Sequence, residues 1–65
     1  MKEYIGVITK VFGGWDRLVA FEVNTEIGPI ETEFCNPPTT PRVGQKAKVV
    51  QNEHTGEWEL HDWWD

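Results

Sequence analysis

The fold of this chain is decided by two stretches near its C-terminus, Val43-Gly44-Gln45-Lys46-Ala47-Lys48-Val49-Val50-Gln51 and Gly56-Glu57-Trp58-Glu59-Leu60-His61-Asp62-Trp63-Trp64. Apolar and polar residues alternate in both, which predicts two strands joined by a loop of residues 53–56. The apolar residues of both strands share one face only if each odd-numbered residue of one strand pairs with an even-numbered residue of the other. This register places Val49 opposite Leu60 and Gln51 opposite Trp58. Opposite charges become cross-strand neighbours on the other face, which carries Lys46, Lys48 and Val50 against Glu59, His61 and Trp63.

Three further strands are predicted upstream of this hairpin, over Tyr4–Phe12, Leu18–Val23 and Ile30–Phe34. A glycine pair and the segment 24–29 supply the turns between them. Gly6 lies inside the first strand, where a glycine marks a bend or a close approach of another backbone. The N-terminal half therefore contains three predicted strands separated by turns.

No helix is predicted anywhere in the chain. Three prolines within residues 36–41 exclude a helix or a central strand there, and no segment of ten residues has helical periodicity. Closure of five short strands removes the exposed edges that promote aggregation. The sequence therefore predicts an all-β protein, a small five-stranded antiparallel barrel of the oligonucleotide-binding (OB) or SH3-like type with little or no helix.

A chain of 65 residues suffices for one domain, assigned to residues 1–65, with a compact core. Among the four tryptophans, Trp58 is expected to fill this core, while Trp63 and Trp64 point to opposite faces of a strand end. The side chains expected to form the core are Ile5, Val7, Val11, Val19, Phe21, Ile30, Phe34, Val49, Trp58 and Leu60.

The charge balance and the single cysteine restrict partners and location. Six basic and eleven acidic side chains give a net charge of −5, which disfavours a phosphate backbone and favours a partner with a basic surface. Cys35 has no second cysteine to pair with, and no segment approaches the ~20 apolar residues of a membrane-spanning helix. We therefore expect a cytoplasmic protein.

The order of strands and glycines resembles the small oligonucleotide-binding barrels, particularly the cold-shock type. The resemblance rests on Gly6-Val7-Ile8, a glycine turn, Phe21, Ile30 to Phe34 and Val43-Gly44-Gln45. Such proteins stack bases on aromatic side chains of strands one to three, at ~1–3 kcal/mol per base. Phe21 and Phe34 match those positions, with Phe12 and Trp15 nearby, and the remaining positions hold Lys10, Leu18, Ala20, Glu31 and Glu33. The resemblance thus implies the fold more directly than the activity.

Catalysis and metal binding have little support in the sequence. The chain contains no serine and no glycine-rich phosphate loop before a helix. Cys35 with His61 is the one thiol and base combination, and a lone cysteine at a strand end is more often a small buried apolar residue. His54, His61 and Asp62 lack the spacing of metal ligands. We expect no enzyme, no cofactor and no metal.

Exposed aromatic and charged side chains are the candidates for a binding surface. A tryptophan in a Gly-Gly turn is typical of an interface, and the third strand has an acidic outer face. The candidate binding residues are Trp15, Phe12, Trp63, Glu31, Glu33, Lys10 and Lys46. They favour a small acidic module that binds a protein. The size and acidity of the chain also suit an accessory or inhibitor protein of a phage or mobile element. The alternative is a single-stranded DNA or RNA binder that uses Lys10, Phe12, Trp15, Phe21, Phe34, Arg42 and Lys46.

Overall fold

The computed structural model describes residues 2–13 and 18–65, and these residues form five strands that close into a barrel. The strands are β1 (Glu3–Phe12), β2 (Leu18–Thr25), β3 (Gly28–Cys35), β4 (Lys46–Gln51) and β5 (Trp58–Trp64). The predicted all-β barrel is confirmed. Within the described ranges the chain has no helix whose length and apolarity would let it cross a membrane.

The barrel closes in the order β1-β2-β3-β5-β4, with β4 returning to pair with β1. The spatial order β4-β1-β2-β3 is a Greek key, and a five-stranded Greek-key barrel is the OB arrangement. Four of the strand pairs are antiparallel, as predicted, whereas β3 and β5 are parallel. This parallel contact joins strands that are distant in the chain, so no hairpin turn in the sequence predicts it.

The β4–β5 hairpin has the predicted register next to its loop. Val49 pairs with Leu60 and Gln51 with Trp58, and the Asn52 amide donates to the Glu57 carbonyl at 2.8 Å, which encloses the predicted loop of residues 53–56. Beyond Leu60 the register shifts by one residue. The extra residue is His61, so that Lys48 lies opposite Asp62 and Ala47 opposite Trp63. Trp63 therefore joins the core face, and its predicted place on the other face was wrong.

A second bulge, in β1, explains why two predicted core residues are exposed. Ile8 pairs with Val23 but Lys10 pairs with Glu22, so Thr9 is the extra residue. Before the bulge the inward residues have even numbers, and Ile8 is fully buried while Ile5 is 60% and Val7 is 42% exposed. After the bulge the odd-numbered Val11 packs on the core. A strict period of two had placed Ile5, Val7 and Val11 together, and a bulge breaks that period.

The barrel core is formed by inward residues of all five strands. Its buried members are Ile8, Phe21, Val23, Ile30, Ala47, Val49 and Leu60, with Tyr4, Val11, Val19, Phe34, Trp58 and Trp63 packed partly buried around them. Gly6 is required where β1 crosses β2, because a Cβ there would overlap the Asn24 carbonyl oxygen and lie 2.9 Å from Thr25 Cγ2. The close backbone approach predicted from Gly6 is confirmed.

The β2–β3 connection is shorter than the predicted turn over residues 24–29. Both strands extend until only Glu26 and Ile27 separate Thr25 from Gly28. The Thr25 hydroxyl donates to the Gly28 carbonyl at 2.9 Å and accepts from the Ile27 amide at 3.3 Å, and Gly28 has a φ of 103°. This tight hairpin aligns the outer residues of β2 and β3 over their whole length.

Candidate functional site

An open groove of about 790 Å³ lies across the outer side of β2, β3 and β5. Its apolar lining includes Phe12, Leu18, Ala20 and Trp58. Its acidic lining consists of Glu31 and Glu33 from β3, Glu57 just before β5, and Glu59 in β5. We refer to this surface as the acidic groove.

The groove lies at the contact between β3 and β5. β2 and β3 share eight paired positions in unbroken register, whereas β3 and β5 share one, Glu33 with Glu59. A side chain supplements this sparse pairing, because the buried Thr32 hydroxyl donates to the Trp58 carbonyl at 2.9 Å. A second cavity of about 440 Å³ continues along the same seam past Leu60 and His61. The concave surface therefore follows the β3–β5 seam.

Like charges face one another across the strands of this surface. Glu33 is opposite Glu59, and Glu31 is opposite Glu22, an arrangement that destabilises a sheet unless the charges are compensated. Glu22 is compensated by the Thr9 hydroxyl at 2.9 Å and by Lys10 Nζ at 3.9 Å.

The carboxylates of the groove lack such compensation. Within residues 2–13 and 18–65, Glu31, Glu33 and Glu57 form no ion pair, and Glu59 has only His61 at 3.8 Å. No lysine or arginine of the described chain lines the groove. The groove therefore carries a concentrated and largely unneutralised negative charge.

The bulge at His61 is one reason for this lack of cations. The unshifted register had placed Lys48 opposite His61 and diagonally beside Glu59. In the structure Lys48 lies opposite Asp62 and pairs with Glu3 at 3.3 Å, and Lys46 lies opposite Trp64. The predicted neighbourhood of Glu59 and a β4 lysine was wrong.

The seven predicted binding residues do not form one surface. Phe12, Glu31 and Glu33 come together in the groove, and Lys10 lies beside it on Glu22. Lys46 belongs to β4 on the other side of the barrel, and Trp63 packs edge-on against Phe34 with ring centroids 5.1 Å apart. Trp15 lies outside the described residues.

Sequence reasoning missed Leu18, Ala20, Cys35, Glu57 and Glu59 as parts of the groove. Leu18 and Ala20 occupy outward positions of a predicted strand, so alternation alone could have placed them on the outer face of the sheet. Cys35 follows the predicted third strand, and its expected burial was wrong, because it is exposed. Glu57 and Glu59 could not be assigned in this way, because their place in the groove depends on the β3–β5 contact.

The residues of the predicted nucleic-acid alternative are dispersed as well. Phe21 is fully buried and offers no face for stacking, and Phe34 is half-buried against Trp63. Arg42 pairs with Asp65 at 3.3 Å. No set of three or more His, Cys, Asp or Glu side chains in the described part of the chain has the geometry of a metal site.

Comparison of the chain with protein-family models, curated proteins and solved structures finds no match. The acidic groove itself is thus the basis for assigning a function.

Proposed function

We propose that this chain is a non-enzymatic binding module whose acidic groove takes a basic segment of a protein partner. The observation that carries the proposal is the concentration of charge in one concave place. Without the four groove glutamates the chain would have six basic and seven acidic side chains, so these four residues account for most of the net charge of −5.

The combination of apolar and acidic residues in the groove suits lysine and arginine side chains. Their aliphatic stems pack on apolar surface while their charged ends stay near the solvent. In the groove the stems would contact Leu18, Ala20 and Phe12, and the ends would reach Glu31, Glu33, Glu57 and Glu59. Charge-assisted hydrogen bonds of this kind are stronger than neutral ones, and a basic occupant would also relieve the repulsion between Glu33 and Glu59.

A nucleic acid is the weaker candidate for the same surface. Phosphates would meet four carboxylates and no described cation, and association would lose the electrostatic contribution that dominates binding to nucleic acids. The positions that resemble cold-shock stacking residues hold Leu18, Ala20, Glu31 and Glu33 instead. The face that binds nucleic acids in OB barrels therefore carries acidic and aliphatic side chains in this chain, where those proteins have stacking aromatic ones.

The test is a titration with short peptides, followed by Trp fluorescence and calorimetry. An alternating Arg-Leu peptide should bind at low salt, and the affinity should fall as salt is added, because the contacts are charged. A Glu-Leu peptide of equal length is the ligand control. Glu33→Gln should weaken the binding of the Arg-Leu peptide by roughly fivefold or more.

The matched control variant is Glu26→Gln, which removes the same charge from the exposed β2–β3 turn outside the groove. It should leave the affinity within about twofold of the original value. Equal effects of the two substitutions would show that only net charge matters and would reject the groove. Saturable binding of oligo-dT with no binding of the Arg-Leu peptide would reverse the choice of partner.

A further inference from the structure

The opposite side of the barrel carries an exposed apolar surface that the groove does not involve. Ile5 and Val7 project outward from β1 and are 60% and 42% exposed. Val7 pairs with Lys46, which in turn pairs with Trp64, so these three residues form a row across β1, β4 and β5. Ile5 pairs with Lys48 in the next row. We call Ile5, Val7, Lys46, Lys48 and Trp64 the β1–β4 face.

The charges around this face are balanced, in contrast to those of the groove. Its two lysines are accompanied by Glu3, which pairs with Lys48 at 3.3 Å, and by Asp62, which lies opposite Lys48. A patch with an apolar centre and equal numbers of both charges at its rim can be complementary to itself. Isologous contacts, in which both copies use the same patch, require this property.

We infer that a second copy of this chain packs on the β1–β4 face, related by a two-fold axis. Two molecules with a net charge of −5 repel each other, and this face lets them approach without bringing the acidic grooves together. Ile5 and Val7 of both copies form the centre of the contact, and Lys48 of each copy lies within reach of carboxylates of the other. The inference is independent of the groove's occupant.

The fold limits the strength of this dimer. The Cα framework measures 27 × 25 × 16 Å, so one face buries only roughly a few hundred Å² per copy, the size of a weak and reversible contact. The arrangement has a functional consequence, because the groove lies along β3, the one strand that pairs with neither β1 nor β4 in the closed order β1-β2-β3-β5-β4. Both grooves of the dimer would face outward, and a partner with repeated basic segments would gain avidity from the two.

Sedimentation equilibrium of the full chain, from about 1 µM to about 1 mM, tests the inference. We expect a monomer–dimer equilibrium that shifts toward dimer as salt rises, because salt screens the repulsion between two acidic molecules. Ile5→Glu should weaken dimerisation by roughly tenfold or more, since it places two new charges at the centre of the contact. Ile27→Glu is the matched control, because Ile27 is 55% exposed in the β2–β3 turn outside the face, and it should leave the equilibrium unchanged.

Several results would overturn the inference. A monomer at every concentration would do so, and so would equal weakening by Ile5→Glu and Ile27→Glu. Dimerisation that weakens with salt and is abolished by Glu33→Gln would instead indicate a head-to-tail contact between the groove and the lysines. Circular dichroism verifies that each variant folds. Binding of the Arg-Leu peptide by Ile5→Glu at its original affinity separates failure of this inference from failure of the proposed function.

Discussion

The β2–β3 hairpin and the β3–β5 seam are built from the same strand but differ in almost every respect. On one edge β3 pairs with β2 at eight positions through a turn of two residues, and on the other it meets β5 in parallel at a single paired position. The hairpin is encoded locally, whereas the seam joins two strands that are distant in the chain. The groove and its carboxylates, which have no lysine or arginine partner among the described residues, lie at the seam, so the least regular contact of the fold carries the candidate site.

The largest effect on stability should come from the core that both edges share. Phe21 in β2 is fully buried, and its replacement by alanine should lower the free energy of unfolding by about 3–5 kcal/mol. A loss of that size is comparable to the whole stability of a domain this small. Chemical denaturation followed by Trp fluorescence measures it. Phe12→Ala, at a 42% exposed position, is the control and should cost far less.

The contrast also explains how much the sequence could predict. Alternation and turn residues lead to the five strands and to the Val49–Leu60 register, because both signals are local. The bulges at Thr9 and His61 each insert one residue without a distinctive side chain, and each exchanges the two faces beyond it. That exchange exposes Ile5 and turns Trp63 inward.

Only two of the four groove glutamates could be predicted from local sequence patterns. Glu31 and Glu33 follow from the alternation of β3, which exposes them on its outer face. Glu57 and Glu59 join them through the contact between strands β3 and β5, which are separated in the chain by the whole of β4. Pairings of this kind depend on barrel closure and leave no trace in a local pattern.

A smaller effect should distinguish the two edges of β3 directly. Thr32→Val keeps the shape of the side chain but removes the hydroxyl that donates to the Trp58 carbonyl at the seam. We expect a loss of about 1–2 kcal/mol, because the partly buried carbonyl loses its partner. Amide hydrogen exchange should quicken along β5 near Trp58 more than along β2.

Thr25→Val is the control for this change, since it removes the corresponding hydroxyl at the β2–β3 turn. There the backbone ladder remains intact on both sides, so we expect the faster exchange to stay near Gly28. Uniform acceleration over the whole barrel in Thr32→Val would mean that the seam does not open separately from the rest of the fold.

The smallest expected effect is a gain in stability, produced by a substitution that also weakens the proposed binding. Glu33 lies directly opposite Glu59, and neither has a lysine or arginine partner among the described residues. Glu33→Gln should therefore stabilise the barrel at low salt, by roughly 0.2–1 kcal/mol, while it weakens binding of the Arg-Leu peptide. The gain should disappear in 1 M salt, where the Debye length is about 3 Å. Glu26→Gln, which removes a carboxylate from the turn, should change neither the free energy of unfolding nor the affinity for the Arg-Leu peptide. If Glu33→Gln instead lowered the free energy of unfolding at low salt, the Glu33 carboxylate would be a stabilising group, and the seam would not be held in a repulsive state that a basic partner relieves.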